Sequence, residues 1–140
     1  MKKIVITGGL GYIGTELCKI YSGYSWNDKI TVIDNRFISE RVNQIRNWNM
    51  NFVHGDILDK ELINEYCKDA DIVHHLAGIT EVTRVKSESN DEKEELIRKV
   101  AEEGTQNNKN LQSTQLNESV RFCTFSAPCL HFHFMSTKEK

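Results

Sequence analysis

Short apolar runs alternate along the chain with longer stretches in which apolar residues recur at helical spacing. Ile4-Val5-Ile6 is a β-branched run that leads through Thr7 into a cluster of glycines, the pattern of a buried strand closed by a turn. Ile13, Leu17, Ile20 and Tyr21 then fall at i, i+4, i+7 and i+8, which predicts a helix with one buried face ending in Ser22-Gly23-Tyr24-Ser25. Ile30-Thr31-Val32-Ile33 predicts a second strand, closed by Asp34. Ile38, Val42 and Ile45 mark a short helix, and Asn51-Phe52-Val53-His54 a third strand. Beyond the turn Gly55 to Asp59, the stripe Leu62, Ile63, Tyr66 and Cys67 predicts another helix, with Asp59 placed to cap it. Ala70 to Leu76 reads as a fourth strand, nearly continuous in apolar character apart from its histidines, as expected when helices cover both faces. After a polar loop from Ile79 to Ser89, Ser89-Asn90-Asp91-Glu92 resembles a capping box, and Leu96, Ile97, Val100, Ala101 and Gly104 line one face of a charged helix. Strands and helices in this alternation predict an α/β, doubly wound parallel sheet.

The glycines turn this architecture into a candidate site. Thr7 to Gly14 reads T-G-G-L-G-Y-I-G, between a strand and a helix, where Gly8, Gly11 and Gly14 permit a sharp turn, a close backbone approach to a pyrophosphate, and tight packing of helix on strand. Amides at the start of that helix, with its dipole, would hold the negative charge. Asp34 follows about 20 residues beyond the last glycine, at the tip of the second strand, where a carboxylate can accept from the adenosine ribose hydroxyls. A carboxylate there also repels a 2′-phosphate and so favours NAD over NADP, while Arg36, two residues on, could offset that repulsion.

Composition narrows the partners. At 140 residues the chain is about one domain long. A formal charge of −2, without clusters of Lys and Arg interleaved with aromatics, gives no electrostatic footprint for nucleic acid. The opening Met1-Lys2-Lys3 runs directly into a short strand, neither a signal-peptide core nor a membrane span, so a cytoplasmic protein with no membrane partner is expected. Cys18, Cys67, Cys123 and Cys129 lack C-x-x-C spacing and are expected to be free thiols. His74 and His75, as strand neighbours, point to opposite faces and cannot readily share one ion. Cys129, His131 and His133 would share a side of an extended segment, but no fourth ligand or supporting partner is in view. No metal site is expected.

Taken together, T-G-x-x-G-x-x-G at Thr7 to Gly14, V-I-D-N at Val32 to Asn35, G-D-I at Gly55 to Ile57 and H-L-A-G at His75 to Gly78 resemble the extended short-chain dehydrogenase/reductase family, in its NAD-dependent sugar epimerase/dehydratase branch. The resemblance covers Met1 to Asn107 and implies a Rossmann-type domain over 1–107 with NAD as cofactor. It implies that the backbone at Gly11, Tyr12 and Ile13 contacts the pyrophosphate and that Asp34 and Asn35 hold the adenosine ribose. Asp56 and Ile57 would line the adenine pocket, and Leu76, Ala77 and Gly78 would border the dinucleotide at the end of the fourth strand. The family is often dimeric, which implies a homo-oligomer.

Past Asn107 the resemblance weakens. Gly104-Thr105-Gln106-Asn107 resembles the family's G-T-x-N, yet Ala101 stands where the family usually has asparagine. No isoleucine follows Ile97, no glycine follows Gly104, and no tyrosine follows Tyr66. Arg121 to Ser126 resembles the strand that carries the family's catalytic Ser or Thr, though matching Phe122 to the strand aromatic puts Ala127 at the hydroxyl position. The family's Tyr-x-x-x-Lys pair, whose lysine lowers the tyrosine pKa so that it can take a sugar hydroxyl proton, has no counterpart. The expectation is therefore a truncated or frame-shifted epimerase/dehydratase: a cofactor domain over 1–107 and a divergent segment over 108–140, with room for a fifth strand and a disordered tail. Such a chain has no catalytic residues of its own, and a nucleotide-sugar substrate would belong only to the complete parent enzyme. The alternative is a non-catalytic dinucleotide-binding or partner-dependent regulatory module.

Overall fold

The computed structural model describes residues 1–24, 27–79, 90–107, 121–124 and 133–134. The polar loop 80–89, the hydroxyl-bearing Ser126, and Cys129 and His131 lie outside the described residues, as do the side chains of Cys123 and His133.

The apolar runs form strands in the expected order: β1 (Lys3–Thr7), β2 (Lys29–Asp34), β3 (Asn51–His54) and β4 (Ile72–His75). Arg121–Thr124 adds β5 and His133–Phe134 adds β6. The sheet order is β3-β2-β1-β4-β5-β6, parallel from β3 through β5, with β6 antiparallel to β5. Because β1 is flanked by β2 on one side and β4 on the other, the chain reverses its winding there, and a crevice opens at the carboxyl ends of those strands. In register, Thr7 lies beside both Ile33 and His75, so these strands end level at the crevice.

Strand alternation divides the core into two layers. Ile4, Ile6 and Val32 face one side and pack with Cys18, Val42 and Ile45 of helices α1 (Tyr12–Gly23) and α2 (Ser39–Asn47). Val5, Ile33 and Val73 face the other and pack with Ile63 and Cys67 of α3 (Lys60–Cys67). Asp59 caps α3 as its position predicts, its carboxylate accepting from the Leu62 amide at 3.0 Å.

Two helical faces differ from the periodicity. In α1 the buried residues are Gly14 and Cys18, with Leu17 and Tyr21 packed beside them, while Ile13 and Ile20 are 45% and 55% exposed. The face has rotated because a Cβ at Gly14 would sit 2.5 Å from the Gly8 carbonyl oxygen. The helix approaches the turn through its smallest residue, so the residues one position away are carried outward.

The second departure lies in the last helix. α4 (Asn90–Lys99) runs on into a π-helical turn, Val100–Gly104, and a final helical stretch over 105–107. Val100 packs against the second core layer and Gly104 is buried, but Leu96 is 50% exposed and Ala101 is also exposed. The wider turn adds a residue to the helical repeat and shifts the phase of the stripe that a 3.6-residue period draws.

Candidate functional site at the glycine turn

Gly8 makes the first bend of the turn with φ of +73°, in the left-handed region. A Cβ there would lie 2.5 Å from the Ala77 nitrogen and 2.7 Å from the Leu76 carbonyl carbon, so the turn rests directly on the backbone leaving β4. The Leu76 amide donates to the Thr7 carbonyl at 2.9 Å and extends that pairing past the end of the strand. Leu76 and Ala77 thus meet the glycine turn, with Gly78 exposed beyond them.

Gly11 is the N-cap of α1 and supplies no side-chain cap. Among the described residues, the amides of Tyr12, Ile13 and Gly14 have no protein acceptor, and the first turn of α1 carries no acidic side chain. Three donors without a protein acceptor, at the positive end of a helix dipole, have the makings of an anion cradle. Tyr12 and Ile13 are exposed, and Gly14 is buried.

Asp34 is only 5% exposed, and its carboxylate is already engaged. Oδ2 accepts from the Leu10 amide at 2.9 Å, and Oδ1 accepts from the Arg36 amide at 3.0 Å and Arg36 Nε at 3.3 Å. The residue expected at a ribose therefore also ties the glycine turn to β2. Arg41 of α2 donates through Nη1 to the Leu10 carbonyl, so both polar groups of Leu10's backbone are held by side chains from the β2–α2 segment.

At the neighbouring strand end, Asn35 Nδ2 donates to Asp56 Oδ2 at 3.3 Å, and Asp56 Oδ1 accepts from the Leu58 amide at 2.9 Å. His54 Nε2 pairs with the Asn35 carbonyl at 2.9 Å. Asp56 shapes its own turn here, and Asn35 bridges it to β2. Ile57 is buried in the second core layer rather than facing the crevice openly.

Periodicity did not single out Asn107 as part of this corner. It is 7% exposed, and its Nδ2 donates to the Ile57 carbonyl at 3.0 Å and the Leu58 carbonyl at 3.4 Å. A Cβ on Gly104 would collide with Ile57 Cδ1. The G-T-x-N ending is the signal that could have revealed this: glycine permits contact with Ile57, and asparagine fixes the carbonyls beside it.

The two histidines do part to opposite faces. His74 Nε2 pairs with the Tyr21 hydroxyl at 2.8 Å, and burial lowers the His74 pKa from its ordinary 6.5. His75 is buried, with Nδ1 paired to Thr7 Oγ1 at 2.7 Å and Nε2 to Thr105 Oγ1 at 3.3 Å. Cys18 and Cys67 are free and buried, and burial pushes both thiols up to about 12. Among the described residues, no group of three His, Cys, Asp or Glu could hold a metal ion, and no helix is long and apolar enough to cross a membrane. A hollow of about 520 Å³ opens at the amino ends of the strands, lined by Met1, Asp28, Lys29 and Arg46 among others. It lies at the other end of the sheet from the unpaired amides, which make the glycine turn the stronger candidate.

Known proteins place this arrangement. The family model described as 3-beta hydroxysteroid dehydrogenase/isomerase matches residues 5–135. The chain is similar to the dTDP-D-glucose 4,6-dehydratase of Dictyostelium discoideum, 39% identical over 88 residues, covering 59% of this chain and 20% of the relative. It is also similar to the UDP-glucose 4-epimerase of Bacillus subtilis, 35% identical over 88 residues, covering 56% of this chain and 25% of the relative. Its fold matches that of a dTDP-glucose 4,6-dehydratase from Bacillus anthracis str. Ames in complex with NAD, with a TM-score of 0.68 at 20% identity over 89% of this chain and 37% of that one. These matches span 20% and 25% of the curated relatives' lengths. With the glycine turn, the strand order and the family match in agreement, the chain belongs to the 3-beta hydroxysteroid dehydrogenase/isomerase family of extended short-chain dehydrogenases/reductases, and it resembles the N-terminal part of the NAD-dependent sugar epimerase/dehydratase branch.

Proposed function

We propose that the chain is an NAD-binding domain of the kind that serves epimerases and dehydratases of nucleotide sugars, and that by itself it binds the dinucleotide without turning over a sugar. The observation that carries the reading is the set of unpaired amides at Tyr12, Ile13 and Gly14, on a helix that presents no carboxylate of its own at that end. They would take the pyrophosphate, with Gly8 and Gly11 leaving room for it. Asp34 retains acceptor capacity for a ribose hydroxyl, and Asn35 and Asp56 would border the adenine side, with the Ile57 backbone at its floor. Leu76, Ala77 and Gly78 would border the far half of the dinucleotide. NAD, when bound, supplies a hydride acceptor. The residues here bind and orient it, while the sequence provides no Tyr-x-x-x-Lys to take a substrate proton.

That absence also favours a second reading, a non-catalytic dinucleotide sensor or a module completed by a partner. In either case nucleic acid and membranes are not partners, and a cytoplasmic location and a homo-oligomeric state are part of the proposal. Calorimetric titration with NAD should give saturable binding and a matching rise in Tm, weakened by Asp34→Asn. No binding and no thermal shift at millimolar NAD would refute both readings. Turnover of a nucleotide sugar only when a second protein is added would select the partner-dependent module, whereas turnover by the chain alone would contradict its assignment as a binding domain.

A further inference from the structure

A path of polar side chains joins the two ends of the candidate site from the face of the sheet opposite α1. Thr7, the last residue of β1 before the glycine turn, is fully buried, and its Oγ1 pairs with Nδ1 of buried His75 at 2.7 Å. By strand alternation both residues face the side that holds Val5, Val73 and α3, whereas Cys18 of α1 packs on the other. His75 Nε2 pairs in turn with Oγ1 of Thr105, the residue that follows the π turn, at 3.3 Å. Two positions on, Asn107 Nδ2 donates to the Ile57 and Leu58 carbonyls. Those carbonyls follow Asp56, whose Oδ2 accepts from Asn35 beside Asp34.

The short segment 104–107 thus grips the glycine turn through His75 and the Asp56 turn through Asn107. A neutral imidazole suits the first grip, since one ring nitrogen donates while the other accepts, and a hydroxyl can do either. The π turn supplies the phase. It displaces the residues after it by about one position, roughly 100° on a 3.6-residue helix, so an uninterrupted α-helix would turn Thr105 and Asn107 away from these partners.

We propose that His75 and Thr105 are positioning residues for dinucleotide binding, which couple the docking of segment 104–107 to the geometry of the glycine turn. Gly8, at φ of +73°, makes that turn costly to order, and a fixed Thr7 lowers the cost that a ligand would otherwise meet. The coupling is reciprocal: a docked segment raises affinity, and a bound dinucleotide tightens the segment. The inference rests on the dinucleotide reading above, because it concerns the same turn.

The test is calorimetric titration of the full chain with NAD, well below the Tm of each variant. There essentially every molecule is folded, so lost stability alone leaves Kd unchanged. Thr105→Val, which replaces the hydroxyl by a methyl group of similar size, should weaken NAD binding about fivefold or more, and Thr105→Ser should restore it. Unchanged affinity in Thr105→Val, or equal weakening in Thr105→Ser, would overturn the inference. Amide exchange in the unaltered chain gives a second measure that needs no variant. Saturation with NAD should slow exchange at Thr105 and Gln106 more than at Leu96 and Ile97 earlier in the same helix, and equal slowing at both places would also overturn the inference. Failure of the unaltered chain to bind NAD would instead overturn the dinucleotide reading, and the inference with it.

Discussion

The connection from β1 to β2 and the described part of the connection that follows β4 face the same crevice, but they dock by different means. α1 lies along the sheet through Gly14, Leu17, Cys18 and Tyr21, a continuous face over successive turns. α4 leaves Leu96 half exposed, and its described charged pair, Glu95 with Arg98 at 2.6 Å, lies in solvent. Its continuation reaches the core through Val100, Gly104, Thr105 and Asn107, within and just after the π turn. The first connection is held by apolar area distributed along a helix, the second by a few specific contacts near one end. Distributed packing tolerates the loss of any one contact, whereas a docking point of this kind depends on each member.

The contrast breaks most severely at the turn that both connections share. In Gly8→Val, a β-branched residue would have to adopt φ of +73° with its Cβ 2.5 Å from the Ala77 nitrogen. The obstacle is backbone, which cannot rotate away. A loss of about 3 kcal/mol or more is expected in urea denaturation, along with loss of NAD binding. Wild-type stability in this variant would show that the turn does not rest on the β4 backbone as described.

A smaller effect separates the two connections directly. Asn107→Ala leaves the Ile57 and Leu58 carbonyls without their buried donor, which should cost about 1–3 kcal/mol. It should also accelerate amide exchange in the Asp56–Leu58 turn. Cys18→Ala in α1 removes one small apolar side chain from a broad interface, and should leave exchange in that turn unchanged. Equal acceleration in both variants would mean that the π turn has no special hold on the adenine-side loop.

The same difference governs how much was legible in the sequence. β3 was readable at Asn51–His54, the end of β2 at Asp34, and the α3 cap at Asp59, because each depends on local chemistry: β-branched runs, a carboxylate before a helix, glycines after a strand. The glycine turn was readable for the same reason. Exposure of Ile13 and Ile20 was not, because the rotation of α1 follows from contact between Gly14 and the Gly8–Gly9 backbone, which is tertiary. The π turn escaped because a search for a 3.6-residue period imposes that period, and so assigned Leu96 and Ala101 to the buried face. Arg41 became visible as part of the site only through a partner 31 positions away, Leu10, whereas the G-T-x-N ending marked Asn107 without showing that it holds the Ile57 carbonyl 50 positions away. No spacing rule links such positions.

The smallest expected effect uses the adjacent histidines, one of which faces each connection. His74 meets Tyr21 of α1, and His75 meets Thr105 after the π turn. Burial lowers the folded-state pKa of His74 from 6.5, so well above pH 6.5 both folded and unfolded forms are neutral and this residue adds no pH dependence. As pH falls through 6.5 the unfolded chain gains the proton first and is favoured, and stability declines until the pH reaches the lower folded-state pKa. His74→Gln should therefore flatten the slope of unfolding free energy with pH below 6.5, and NMR titration of the His74 ring should show a midpoint below that value. A midpoint at or above it would mean that the α1 face admits water to His74, and that the packing of the first connection is less continuous than the buried face of α1 indicates.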